Sequence, residues 1–172
     1  MQKGPYLKSG LLVSGLLLVA DQLSKYWVLN GLNLPSLRTV ELLPFLNFTM
    51  VWNKGISMGL PIGDFLGRWG ISIMTVLITA WLLNWLRTTE RKIEAVSLSM
   101  IIGGAIGNLI DRFLHGAVVD FVHLHAGNYN FYVFNLADSA ITLGAILLLF
   151  DGLRDGLKGP KNASKTDKVE RE

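Results

Sequence analysis

No cysteine occurs in the 172 residues, which excludes a disulfide, a thiol nucleophile and any cysteine-based metal site. Charge is scarce as well. Asp, Glu, Lys and Arg make up 17% of the chain, against about 25% in a soluble domain. Hydrophobic residues make up 51%, and mean hydropathy is +0.41. That balance is a membrane protein's. A nucleic-acid footprint is missing too. Net charge is only +3, and the basic residues flank apolar runs or gather in the tail.

What the chain has instead is four apolar segments: "SGLLVSGLLLVADQLSKYWVL" (9–29), "WGISIMTVLITAWLLNWL" (69–86), "AVSLSMIIGGAIGNLI" (95–110) and "NLADSAITLGAILLLFDGL" (135–153). Each is close to the ~20 residues a helix needs to cross ~30 Å of hydrocarbon, although the third needs its flanks, to about residue 111, to reach. The first has the basic start of a signal peptide in Lys3 and Lys8. No pair of small residues follows at a cleavage site, so it reads as a retained span. Lys3 and Lys8, the connection "RTTERK" (87–92) and the tail from Arg154 onward carry the basic residues. With four spans these lie on one side, and the positive-inside rule places both termini in the cytoplasm. The expected fold is an all-α membrane protein, four transmembrane helices with a small β platform and short loops on the outer side. Residues 1–153 form one domain, and the basic tail 154–172 reads as disordered.

The outer connections carry the platform. Pro44 breaks any helix between Arg38 and Leu60, and "NFTMVWN" alternates, with Phe48, Met50 and Trp52 on one face. Asn-Lys-Gly at 53–55 is turn chemistry. A small sheet over about 38–60 is expected, either packed down as a loop or offering an edge to an extended peptide. In "GAVVDFVHLH", Val118, Asp120 and Val122 share one face of a possible strand, and His123 and His125 share the other. Two such histidines can bind metal. No carboxylate or cysteine completes a ligand set, so the reading is a polar outer surface, with no metal and no other cofactor called for.

Polar residues also sit at the ends of the spans. Gly103 and Gly107, four apart, allow close helix approach. Asn108 and Arg112, also four apart, share a helix face. Arg112 either snorkels to headgroups or holds nearby carboxylates or a phosphate. Asp21 and Lys25 read as a structural ion pair with the acid first, the better order. Asp138 opens the fourth apolar run, and Asp120 lies a short loop before it. Either Asp138 caps a helix and Asp120 is a loop residue, or the two carboxylates are functional, since ionised groups near a bilayer are expensive.

"DQLSK", "NKGISMG", "GGAIGNLIDR", "VVDF" and "FNLADSAI", in this order in a small four-span chain, resemble the lipoprotein signal peptidase (signal peptidase II) family. The resemblance runs from the first span through the fourth. It implies an aspartic protease of the bacterial inner membrane that removes the signal peptide of a prolipoprotein just before a cysteine carrying diacylglycerol. It implies that Asp120 and Asp138 are the catalytic pair, that Asn53, Asn108, Arg112 and Asn135 surround it, and that Asp21 and Lys25 form the first-span motif. Asn53 and Gly55 match the family's turn. Ile56, Ser57 and Met58 depart from its small-small-Phe pattern. The implied partners are the diacylglyceryl prolipoprotein and membrane lipids, with no nucleic acid and no obligate protein partner.

Two aspartates can hydrolyse a peptide without metal or covalent intermediate. One carboxylate takes a proton from water and the other donates one to the scissile carbonyl oxygen. A helix dipole behind Asp138 favours its anion, which makes it the base and Asp120 the acid. Ser139 lacks a histidine–acid partner in a recognisable order. Competing readings are a small proton-coupled transporter or its subunit, using the acids as a relay, and a scaffold that binds lipid or helices through the glycine face. Mid-span acids and inverted repeats are both absent, which counts against transport.

Overall fold

The structure, a computed structural model, describes residues 4–55, 62–127 and 129–157. Helix α1 spans Leu7–Tyr26 and continues through a π turn at Trp27–Gly31 into a short helix α2, Leu34–Leu37. Strands β1 (Thr39–Leu43) and β2 (Leu46–Asn53) follow, then helices α3 (Ile62–Thr88) and α4 (Lys92–His115). Strands β3 (Val118–Ala126) and β4 (Tyr129–Phe134) lead into helix α5, Leu136–Leu157.

Among the described residues, four helices are long and apolar enough to cross a membrane: Leu7–Gly31, Trp69–Thr88, Lys92–His115 and Leu136–Asp155. The short third apolar segment does recruit its flanks. Helix α4 runs 24 residues and ends at Gly116, whose φ of 76° lets its N–H turn back to the Arg112 carbonyl. Helix α3 begins at Ile62, seven residues before the apolar run that marks it in the sequence, and is 27 residues long. Helix α5 carries the chain past residue 153 to Leu157, and the tail 158–172 lies outside the described residues.

Helix α4 is the centre of the bundle and packs against α1, α3 and α5. Over half of its apolar stretch is buried, against about a fifth for each of the others. Small residues bring the backbones together. A Cβ on Gly103 would stand 2.7 Å from the Ser14 carbonyl of α1, and one on Gly104 would stand 2.5 Å from the Ala137 carbonyl of α5. A core of Leu82, Leu86, Ala95, Leu98 and Ile102 fills the joint between α3 and α4. Leu12, Leu16 and Leu23 on α1, Leu77 and Trp81 on α3, and Leu149 and Phe150 on α5 point outward. Such a surface suits hydrocarbon.

The four strands form one antiparallel sheet in the order β1-β2-β3-β4. The expected platform at 38–60 is therefore half of a larger sheet. Its other half comes from the α4–α5 connection, through pairing of β2 with β3. That pairing fixes both connections at one end of the bundle, opposite the α3–α4 turn with Arg91. Val119 and Phe121 pack on Val28 and Leu34 beneath the sheet. Asp120, between them in sequence, projects to the other side, as alternation along a strand requires. A bulge between Phe48 and Val51 breaks the regular alternation read from "NFTMVWN". Phe48 and Met50 join the buried cluster, whereas Trp52 is exposed and rests against His115.

Candidate active site

The site forms where β3, the start of α5 and the C-terminal third of α4 converge. Register brings the first two side chains together. Val51 lies opposite Asp120 and Asn53 opposite Val118, so Asn53 and Asp120 share a face as diagonal neighbours. Asn53 Nδ2 donates to Asp120 Oδ2 at 2.9 Å. Its own Oδ1 accepts the Gly55 N–H at 2.8 Å, closing an Asx turn in which Gly55 takes a φ of +81°. The turn thus orients the amide that meets the carboxylate. Ile56, Ser57 and Met58, where the sequence departs from the family pattern, lie outside the described residues.

Asn135 does two jobs. It is fully buried and precedes the first residue of α5. Its Oδ1 accepts the Asp138 N–H at 2.8 Å, the bond of a helix N-cap to the third residue. Its Nδ2 donates to Asp120 Oδ1 at 2.7 Å and lies within 3.2 Å of the Val119 carbonyl and 3.1 Å of Asn108 Oδ1. The cap reading of Asp138 is therefore corrected. Asn135 caps the helix, and the Asp138 carboxylate is free of that role. It accepts instead from Asn108 Nδ2 at 2.7 Å. Ser139 spends its hydroxyl on the Asn135 carbonyl at 3.1 Å, the ordinary back-bond of a helical serine.

Beneath the two aspartates lies a buried charged cluster. Lys25 Nζ is 2.8 Å from Asp21 Oδ2 and 2.7 Å from Asp111 Oδ2, and it donates to Asn108 Oδ1 at 3.0 Å. Asp21 Oδ1 accepts the Ala137 N–H from the first turn of α5, and Asp111 Oδ2 accepts the Val119 N–H from β3. Gln22 Nε2 bridges the two acids at 3.1 Å each. The expected Asp21–Lys25 pair is present, within a cluster of four. Asp111 and Gln22 are the members that sequence reasoning missed, although both sit inside the motifs "GGAIGNLIDR" and "DQLSK". Gly107 gives the cluster room, since a Cβ there would stand 2.5 Å from Asp21 Oδ2.

Arg112 reaches only the Asn108 carbonyl, at a long 3.4 Å, and its buried Nε has no hydrogen-bond partner among the described residues. It does not clamp either carboxylate, contrary to what an orienting role would require, yet it lies close enough to feel both.

Burial pushes the Asp120 carboxyl up to about 6. The Asn53 and Asn135 donors oppose that shift, and the Asp138 carboxylate adds to it. Asp120 lines a groove of about 510 Å³ with Val51, Trp52, Lys54 and Phe131. Asp138 lines another, of about 700 Å³, with Phe134, Ile141 and Leu143. Asn53 and Tyr132 line both, so the two grooves adjoin at these residues, with one aspartate in each. His123 and His125 sit away from this site at the far end of β3, with ring centroids 5.7 Å apart.

Four apolar helices around a buried polar centre, with an aspartate lining each of two adjoining grooves, define a multi-pass membrane protein. The sequence profile of the family described as Signal peptidase (SPase) II matches residues 13–154. The chain is 43% identical over 154 residues to a lipoprotein signal peptidase of Methylorubrum extorquens, covering 89% of this chain and 90% of that one. It is 43% identical over 156 residues to the lipoprotein signal peptidase of Rhodopseudomonas palustris, covering 86% and 93%. Among solved structures, it is similar to a bacterial membrane enzyme determined by the in meso method at 2.3 Å resolution. That similarity has a TM-score of 0.80 at 30% identity and covers 96% of this chain and 99% of the other. The chain belongs to the signal peptidase II family, and is accordingly a multi-pass membrane protease.

Proposed function

We propose that the chain is an intramembrane aspartic endopeptidase that removes the signal peptide from diacylglyceryl-modified prolipoproteins, cutting just before the lipidated cysteine. The observation that carries the reading is the pair of adjoining grooves, one lined by Asp120 and the other by Asp138, with Asn53 and Tyr132 on the walls of both. An extended peptide laid through them passes its backbone over both carboxylates. Membership of the family and the printed names of the relatives support the substrate class.

In this reading a water sits between the acids. Asp138, third in its helix, takes a proton from that water. The oxygen attacks the scissile carbonyl carbon while Asp120, which holds its proton to about pH 6, donates to the carbonyl oxygen. The tetrahedral adduct collapses when a proton reaches the leaving nitrogen and the C–N bond breaks. One proton shared by the pair serves both halves of the cycle. Asn53 and Asn135 hold Asp120 from both sides, and Asn108 holds Asp138. Arg112, with donors to spare, binds the substrate backbone as it arrives. Asp21 and Lys25 position α1 under the site.

The substrate's acyl chains stay in the bilayer, which supplies binding energy and local concentration. Residues 1–153 act as one protease domain in the bacterial inner membrane, with both termini cytoplasmic and the sheet on the outer side. A proton relay is disfavoured because both acids lie at the sheet end of the bundle. Purified protein incubated with a diacylglyceryl prolipoprotein tests the reading: cleavage shifts the substrate on a gel, and an unshifted substrate contradicts it.

A further inference from the structure

We propose that the outer sheet carries a second site, a transition-metal site made by the imidazoles of His123 and His125 with the side-chain oxygen of Asn47, suited to a divalent ion such as Zn²⁺. His123 lies opposite Asn47 across the β2–β3 ladder, and His125 is fixed two residues further by its N–H to the Phe45 carbonyl at 3.0 Å. The two rings stand 5.7 Å apart, tilted by 49°. Imidazoles sharing one tetrahedral ion through nitrogens ~2.0 Å from the metal have centroids roughly 5–5.5 Å apart, within reach of a small ring rotation.

Two buried atoms in this cluster lack partners among the described residues: His125 Nε2 and Asn47 Oδ1. A buried orphan acceptor costs free energy unless an ion or water meets it, and a cation satisfies both at once. His123 already has the outer-shell bond a ligating imidazole needs. Its Nδ1 lies 3.1 Å from the Thr49 hydroxyl, which leaves Nε2 for the metal. Glu41 faces Asn47 from β1 and adds negative potential. Among the described residues no third histidine, cysteine or carboxylate joins the pair, so solvent completes the coordination and the ion exchanges. Imidazole ligands favour Cu²⁺, Ni²⁺ and Zn²⁺ over Mn²⁺ and Mg²⁺. A bound ion ties β2 to β3, the strands that also present Asn53 and Asp120.

Tag-free full-length protein in detergent, stripped with chelator, is titrated with Zn²⁺ by calorimetry and followed by thermal unfolding. The proposal predicts one saturable Zn²⁺ per chain and a Tm that rises with Zn²⁺ concentration, as mass action requires. His123→Ala and His125→Ala should each weaken binding by at least about tenfold and remove the Tm shift, while circular dichroism in chelator stays native. If either alanine variant unfolds, His125→Gln keeps a polar side chain and carries the same expectation. Asn47→Asp should tighten binding, since a carboxylate replaces a neutral amide oxygen. Absence of saturable Zn²⁺ binding, or binding unchanged in the histidine variants, overturns the site and leaves a water against His125.

Discussion

Asn135 donates its side-chain amide to Asp120 at 2.7 Å and, with the other end of the same group, caps the helix that carries Asp138. One amide therefore sets the position of one aspartate by a side-chain bond and of the other through the backbone. Two substitutions separate these roles. Asn135→Ser keeps an N-cap oxygen but has no amide to offer Asp120, whereas Asn135→Ala loses both. Asn135→Ser should keep the helix start but cost about 1–3 kcal/mol of stability, because buried acceptors at Asp120, Val119 and Asn108 lose their donor, and it should lose cleavage by about tenfold or more. Asn135→Ala should lose a further 0.5–2 kcal/mol or so of stability. Normal cleavage by Asn135→Ser would reduce Asn135 to a cap.

Asp120 predicts a pH signature. Its folded pKa is raised to about 6 from 3.8, so between those values the native state binds more protons than the unfolded chain. Stability then falls as pH rises from about 4 to 6 and levels off above. Relative to wild type, Asp120→Asn should gain stability across that window, by an amount on the order of 1–2 kcal/mol after allowance for solvent screening. Chemical unfolding of both proteins at pH 4, 6 and 8 checks it. A difference that does not change with pH would mean that Asp120 ionises at an ordinary value.

Arg112 holds a donor in reserve. Among the described residues its buried Nε has no partner, and its bond to the Asn108 carbonyl is long. Arg112→Lys keeps the charge and loses the planar fork. Cleavage should fall by about 10–100-fold while Tm barely moves, because no native bond of weight is lost. Near-normal cleavage would leave Arg112 as a cation reaching for headgroups.

Lys25 is the reverse case, a residue whose loss should unfold rather than merely inactivate. Its ammonium lies between Asp21 and Asp111, all three nearly inaccessible. Lys25→Ala strands two buried carboxylates, at a cost of about 3–5 kcal/mol. Asp21→Asn still leaves Lys25 the Asp111 partner and should cost less. Thermal unfolding in detergent orders the two, and a Lys25→Ala variant as stable as wild type would mean that water reaches the cluster.

These cases show what a linear reading could reach. The spans were legible because hydrocarbon demands about 20 apolar residues in a row, and the aspartates because charge at a helix end stands out in such a chain. Asp111 was not legible. It looks like one more polar residue at a helix end, and only the approach of α1 and β3 shows that it answers Lys25 and Val119. The cap stayed open in the sequence because Asn135 and Asp138 are both good cap types, and only the bond from the Asp138 N–H to Asn135 Oδ1 chooses between them. Strand β4 escaped although Gly127-Asn128, a turn dipeptide, follows the possible strand in "GAVVDFVHLH". The start of α3 at Ile62 escaped because Gly63, Asp64, Gly67 and Arg68 interrupt the apolar run there.

The central claim is that Asp120 and Asp138 work as one unit. Since Asn135 supplies the cap, Asp138→Asn should leave α5 intact. Cleavage of a diacylglyceryl prolipoprotein by Asp120→Asn, Asp138→Asn and the double variant, each shown to be folded in detergent, measures the claim directly. Each single change should abolish turnover, and the double should cost no more than either, because residues acting as a unit are not additive. Near-normal turnover by either folded single variant would contradict the account.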